Sequence, residues 1–295
     1  VSLLSRSRRM RPLRVGPGAA LALAVAVLAV PVVAGCSADA PVPPRVTATA
    51  ARDASEPATS GSPSPAATSK AVPGTGDVDA RIVEHAGRRY AVVTLPLEEW
   101  DVRVDWDPDA GGVMLADVLA ASGEIQVATN AGIFTPEMVP GGLLVSDGEE
   151  LVGLNLADGG GNFHLKPNAV FAVLDDGTAT VVDSVDYDPS GVLHATQSGP
   201  ALLLDGEVHP EFREGSTNLA VRSGVGVSTT GDVVYLAIST GLTNLWDFAT
   251  LFSDQLGVED ALYLDGQISD LWVTGQPEPS VLSGPYAGVI TATLR

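Results

Sequence analysis

The chain has 295 residues, a mass of 30.2 kDa and a formal net charge of -20, with a sequence pI near 4.3. After position 35 it carries 11 basic and 36 acidic side chains, a net of -25. That excludes a nucleic-acid binder, which needs clustered Lys and Arg to neutralise phosphates. A single cysteine, Cys36, excludes an intrachain disulfide framework and a Cys-rich metal site.

The N-terminal stretch reads as an address. Arg6, Arg8, Arg9, Arg11 and Arg14 form a positive segment, Ala19 to Val33 is apolar apart from Pro31, and Val33-Ala34-Gly35 leads into Cys36. This pattern resembles a bacterial lipoprotein signal over residues 1–35, cleaved before Cys36, which would carry the lipid. The expected location is the extracytoplasmic face of a cell membrane, with acyl chains supplying the affinity. Residues 36–76 are rich in Ala, Pro, Ser and Thr and hold no aromatic residue. Such a segment buries too little apolar surface to offset chain entropy and reads as a disordered tether. One domain, 77–295, is expected to follow.

Within it, short β-branched or aromatic runs bounded by turn residues predict strands. They are 90–95, 124–128, 169–174, 201–204, 233–238 and 261–264. Asp147-Gly148, Asp176-Gly177 and Asp205-Gly206 stand between apolar runs and predict tight turns, because Asp-Gly tolerates positive φ. Asp265-Gly266, taken alone, reads as another hairpin turn. Two segments have helical spacing. Leu115, Val118 and Leu119 share a face ahead of Gly123. Leu245, Phe248, Ala249, Phe252 and Leu256 follow, with Thr243 or Asn244 as cap and Gly257 as terminator. The expected class is α+β: a single domain with a large, mainly antiparallel or mixed sheet and a few helices.

Four histidines, His85, His164, His194 and His209, show no helical metal-pair spacing, so no metal site and no cofactor are expected. Acidic loop residues such as Asp147, Asp158, Asp186 and Asp188 read as solvated surface. Polar clusters flanked by glycine at strand ends are better candidates. They are Thr129 to Phe134, Gly161 to Asn168, Thr196 to Pro200, Val221 to Gly226 and Leu262 to Ser269. Lys166, the only lysine after Lys70, and Arg222, in a small apolar stretch, are the cations among them. Each could meet an anionic ligand or one of the chain's many carboxylates.

Asn130-Ala-Gly-Ile-Phe134, Gly161-Asn-Phe-His-Leu-Lys-Pro-Asn168, Gln197-Ser-Gly-Pro200 and Leu264-Asp-Gly266, in this order, resemble the phosphodiester glycosidase family. The helix Asn244-Leu-Trp-Asp-Phe-Ala249 resembles the family's helix before the Leu-Asp-Gly strand. The resemblance covers roughly 85–275 and is closest to a bacterial, exopolysaccharide-associated branch. Where the family has a Gly-rich run with Ser after Asp-Gly, this chain has Gln267-Ile268-Ser269.

The resemblance implies hydrolysis of a sugar–phosphate diester at the glycosidic bond. The expected catalytic set is Asp265 as nucleophile or base, with Arg222 and Lys166 on the phosphate. Asn130, Asn162, His164, Asn168, Gln197, Ser198 and Ser269 would orient the sugar. Gly132, Gly199 and Gly266 would allow close backbone approach. The expected partners are a glycan or sugar-phosphate substrate and, through Cys36, a membrane. Two alternatives stay open: a non-catalytic module that binds anionic glycan through the same pocket, and a structural assembly protein.

Overall fold

A computed structural model describes residues 69–71, 78–266, 268–279 and 283–295. The signal with its Cys36 and most of the tether lie outside the described residues, as does Gln267. Ser69–Ala71, at the end of the stretch read as tether, pairs antiparallel with Asp79–His85. An edge strand needs only backbone pairing on one side, so its Ser-Lys-Ala sequence gave no hydrophobic signal. No helix among the described residues is long and apolar enough to cross a membrane.

Among the described residues the strands form three antiparallel sheets rather than one large sheet. The eight-stranded sheet runs, in spatial order, Ser69–Ala71, Asp79–His85, Arg88–Pro96, Val233–Ser239, Ser223–Val227, Asp260–Asp265, Ala201–Leu204 and Glu207–Val208. The five-stranded sheet runs Glu149–Val152, Leu144–Ser146, Val192–Ser198, Ala169–Leu174 and Ala179–Asp183. The four-stranded sheet runs Leu271–Val273, Ile125–Asn130, Gly288–Leu294 and Trp100–Trp106. One apolar cluster draws on all three, including Leu95, Val104, Val127, Phe171, Leu236, Leu264 and Ile290. Period-2 alternation identifies each strand's buried face but does not say which sheet the strand joins.

The turn chemistry follows the sequence at two of the three Asp-Gly pairs. Asp147 (φ 49°) and Gly148 (φ 78°), and Asp205 (φ 51°) and Gly206 (φ 78°), are both left-handed and close two-residue hairpins. Asp176-Gly177 instead sits in a three-residue turn, with only Gly177 left-handed and the Asp176 carboxylate accepting from the backbone and hydroxyl of Thr178. A further two-residue hairpin, Ala86-Gly87, carries no such signal.

Two α-helices span Leu115–Ala121 and Leu245–Leu251, the second continuing as a π-helical turn over Phe252–Leu256. Asn244 caps the second through an Asp247 N–H bond of 2.7 Å, and Gly257 ends it at φ 67°. Phe248 and Phe252 are fully buried against the eight-stranded sheet with Tyr90, Ala261 and Tyr263. Burying each phenyl ring contributes about 2 kcal/mol. The strand beneath is Ser-Gly-Val-Gly-Val. A Cβ on Gly226 would stand 2.7 Å from the Phe252 ring, so glycine there sets how closely the helix lies on the sheet.

Candidate functional site

The polar motifs converge where the Ile125–Asn130, Ser223–Val227 and Asp260–Asp265 strands end. Ser223 pairs with Asp265 in the eight-stranded sheet. The Ser223 hydroxyl receives an N–H bond from Asn130 Nδ2 at 3.0 Å and lies 2.8 Å from the Ser269 hydroxyl. Asn130 Oδ1 in turn accepts the Asp270 N–H at 3.3 Å. Asn130 and Ser223 are buried, so this network ties the turn after Asp265 to the other two strands. Asp265-Gly266 is therefore not a hairpin turn. It ends a strand, and the Gly266 N–H donates to the Asp265 carboxylate at 2.6 Å.

The Asp265 carboxyl is held above the ordinary carboxylate range by burial, an effect the Gly266 N–H only partly offsets. Two residues earlier stands Tyr263, with a register shift between them: Asp265 pairs with Ser223 and Tyr263 with Gly224, consecutive residues of the neighbouring strand. Tyr263 is 2% exposed. Burial pushes its hydroxyl up to about 12, with Arg222 opposing and Asp265 adding to the rise, while Asn162 also lowers it. One phenol thus lies in the fields of the candidate carboxylate and the candidate cation. Sequence reasoning missed Tyr263. Its place in the polar cluster Leu262 to Ser269 was the available signal.

Arg222 is 2% exposed and has no carboxylate partner among the described residues. Its Nε donates to Thr243 O at 3.1 Å, and Nη2 donates to Asn218 O at 3.1 Å and to Asn218 Oδ1 at 3.5 Å. Nη1 makes a long bond of 3.4 Å to the Tyr263 hydroxyl, and the guanidinium carbon lies 5.6 Å from that ring's centroid. Five N–H donors thus meet four neutral acceptors. A buried charge ordinarily needs an opposite charge as partner. Arg222 instead lines a cleft of about 150 Å³ with Asn162, Arg213, Ser216, Asn218 and Trp246.

Other expected site residues are placed differently. Lys166 is bound to the fully solvated Asp158 at 2.7 Å and to Leu156 O at 2.8 Å, so the carboxylate alternative holds for Lys166 and not for Arg222. His164 bonds Ala157 O at 3.0 Å and packs edge-on against Phe163. Gln197 is buried with both amide atoms engaged. Its Oε1 accepts from Leu143 N and Asn155 N, and its Nε2 donates to Asn155 O and Ser184 Oγ. Its polar atoms brace the scaffold.

Asn168 is also buried and donates to Phe163 O at 3.0 Å. Ser198 donates to Leu264 O at 3.0 Å and accepts the Ile133 N–H at 3.1 Å, linking the turn after Asn130 to the Asp265 strand. Gly132 and Gly199 serve close packing of chain on chain. A Cβ on either would stand 2.5 Å from a carbonyl oxygen, that of Gln197 or of Phe163. Asn162 and Arg222 thus line the cleft, Tyr263 meets Arg222 through its hydroxyl, Asp265 ends the Tyr263 strand and is not part of the cleft lining, and Ser269 belongs to the hydroxyl network of Asn130 and Ser223. Among the described residues no group of three His, Cys, Asp or Glu side chains could hold a metal ion.

The phosphodiester glycosidase family model matches residues 123–288, more than half of the chain. Over 166 residues the chain is 37% identical to the uncharacterised protein YigE of Escherichia coli (strain K12), covering 56% of this chain. It spans 65% of the length of that relative. The fold is similar to the zebrafish N-acetylglucosamine-1-phosphodiester α-N-acetylglucosaminidase catalytic domain, auto-inhibited by its pro-peptide. That match has a TM-score of 0.51 and 18% identity, over 80% of this chain and 86% of the other. A hypothetical protein from Synechocystis gives a TM-score of 0.50 and 18% identity, over 79% and 64% of the two chains. The chain belongs to the phosphodiester glycosidase family.

Proposed function

We propose that this protein is a glycosidase that hydrolyses sugar-1-phosphodiester bonds in cell-wall or exopolysaccharide glycans, held at the extracytoplasmic membrane face by lipid on Cys36. The observation that carries the catalytic part is Arg222: a buried guanidinium with no carboxylate partner among the described residues, bonded to the phenol of the strand that ends at Asp265. The membrane part rests on the sequence before residue 36 alone.

The chemistry needs little more. The bond between sugar C1 and the phosphate oxygen breaks, and its electron pair leaves with the phosphate monoester. Arg222 binds that developing charge and requires no proton donor of comparable strength to an ordinary glycosidase's acid. Asp265 attacks C1, or takes a proton from the water that does, and water supplies the hydroxyl of the freed sugar. Tyr263 fixes the guanidinium plane by hydrogen bond and ring contact. Asn162, which lines the cleft beside Arg222, would meet the ligand there.

The test is turnover of aryl and natural sugar-1-phosphodiesters by the full chain in detergent, beside Asp265→Ala and Arg222→Ala. Free sugar from the native protein, reduced by about 100-fold or more in each variant with folding retained, is the expected result. Hydrolysis within about threefold of native in Asp265→Ala would remove its role as nucleophile or base. The second reading, a non-catalytic binder, is favoured by Gln267-Ile268-Ser269 in place of the family's Gly-rich run. It predicts saturable, Arg222-dependent binding with no turnover at any pH.

A further inference from the structure

The described basic side chains of the domain sort into two groups. Arg81, Arg88, Arg103, Lys166 and Arg295 each pair with a carboxylate. Arg89, Arg213 and Arg222 do not, in a chain with a large excess of acid. Two of these three unpaired arginines, Arg213 and Arg222, line the same cleft.

Arg213 is exposed, yet its head is held. Its Nη1 donates to Phe212 O at 2.8 Å and to Pro210 O. Phe212, buried and stacked on His209 at 4.8 Å, anchors that turn. Glu211 lies on the same wall but pairs with neither arginine, and its N–H donates to His209 Nδ1. The cleft therefore holds two arginines to one acid, and that acid pairs with neither, so the site keeps a net positive charge. A phosphodiester carries one negative charge, which Arg222 satisfies. Arg213 is left over, with Ser216, Asn218 and the Trp246 ring between polar and apolar ligand surface.

We propose that the cleft binds a ligand with a second anionic group beyond the scissile phosphodiester, and that Arg213 is the cation that selects it. The ligand class is a polyanionic glycan, the second anion being another phosphate or a uronate-type carboxylate on the leaving side. This rests on the reading of Arg222 as the phosphodiester ligand. Its test is binding, not turnover, so its failure can be told from a failure of that reading.

The probes are propyl phosphonate, propane-1,3-bisphosphonate and 3-phosphonopropionate, titrated calorimetrically into the full chain in detergent. The native protein is expected to bind at least one doubly anionic probe about tenfold more tightly than propyl phosphonate, the value of one charge-assisted hydrogen bond in a partly enclosed site. The preferred probe distinguishes phosphate from carboxylate. Arg213→Gln should bring that ratio below about threefold, and Arg213→Lys should restore most of it. Equal affinities for the three probes in the native protein, or a ratio that Arg213→Gln leaves unchanged, would overturn the proposal. Propyl phosphonate affinity that is insensitive to Arg222→Gln would overturn the reading of Arg222, and with it this one. Unfolding curves of each variant establish that it is folded under the titration conditions.

Discussion

The Arg222 guanidinium sits 5.6 Å from the centre of the Tyr263 ring and donates to that residue's hydroxyl. The contact fixes the plane of a cation that pairs with no carboxylate among the described residues. Arginine can present two parallel N–H bonds to a phosphate only when its plane is fixed, and lysine cannot present them at all. Arg222→Lys is therefore expected to lower kcat/KM by roughly 100-fold, close to a full deletion of the donor pair. Tyr263→Phe keeps the ring and loses only the hydroxyl, with an expected loss of about tenfold. Steady-state kinetics on one sugar-1-phosphodiester would check both, and equal losses in the two variants would contradict the separate roles.

Asp265 links activity and stability with opposite signs. Its carboxyl titrates above the usual carboxylate range because burial disfavours the charge. Catalysis requires the ionised form, so activity should fall on acidification through that raised value. Stability runs the other way. The folded state holds the proton more tightly than the unfolded chain does, so ionisation costs stability as pH rises from the unfolded value to the folded one, and the full cost persists above both. Asp265→Asn should raise the unfolding temperature at pH 7, abolish turnover, and show no such gain below about pH 4. Thermal unfolding at both pH values, beside a pH–rate profile, measures the pair of effects.

Much of this architecture can be read from residues whose chemistry is local. Asn244 and Gly257 mark the two ends of the second helix, and Asp147-Gly148 and Asp205-Gly206 close hairpins, because each needs only its own backbone geometry. The family is legible too, since the ordered motifs around Asn130, Asn168, Gln197 and Asp265 lie within the matched region. Division into three sheets is not, because partner choice depends on contacts far apart in sequence. The partners of the two cations were equally hidden. Lys166 and Arg222 look alike in sequence, and only the fold brings Asp158 to Lys166 and, among the described residues, pairs no acid with Arg222.

That difference between the cations is measurable. Lys166 is bound to an exposed acid, and exposed pairs contribute little. Lys166→Gln is expected to change kcat/KM by less than about fivefold, an effect that shrinks further in 0.5 M salt as screening grows. A loss as large as that of Arg222→Lys would place Lys166 back on the phosphate.

Gln197 should behave as a structural residue. Replacing it with leucine strands the Leu143 and Asn155 N–H groups, both of which now donate to its Oε1. Each unsatisfied buried donor costs about 1–3 kcal/mol, so a destabilisation of about 3 kcal/mol or more is expected in chemical denaturation. Native stability combined with weakened substrate binding would instead return Gln197 to the ligand set.

Gly266 tests whether the phenol must keep its position. Its φ is not in the left-handed region, so alanine meets no backbone strain there. The added Cβ would, however, stand 2.8 Å from the Tyr263 hydroxyl, closer than real Cβ atoms come to a heavy atom. The hydroxyl has to move, and it is the atom that Arg222 Nη1 meets. Gly266→Ala should therefore fold with an unfolding midpoint near that of the native protein while losing about tenfold or more in kcat/KM, a displacement of the guanidinium being costly in a site that works by fixed orientation. In the background of Tyr263→Phe the same alanine has no hydroxyl to displace, so its effect should shrink. Additive losses in the double variant would mean that Gly266 acts through some other contact.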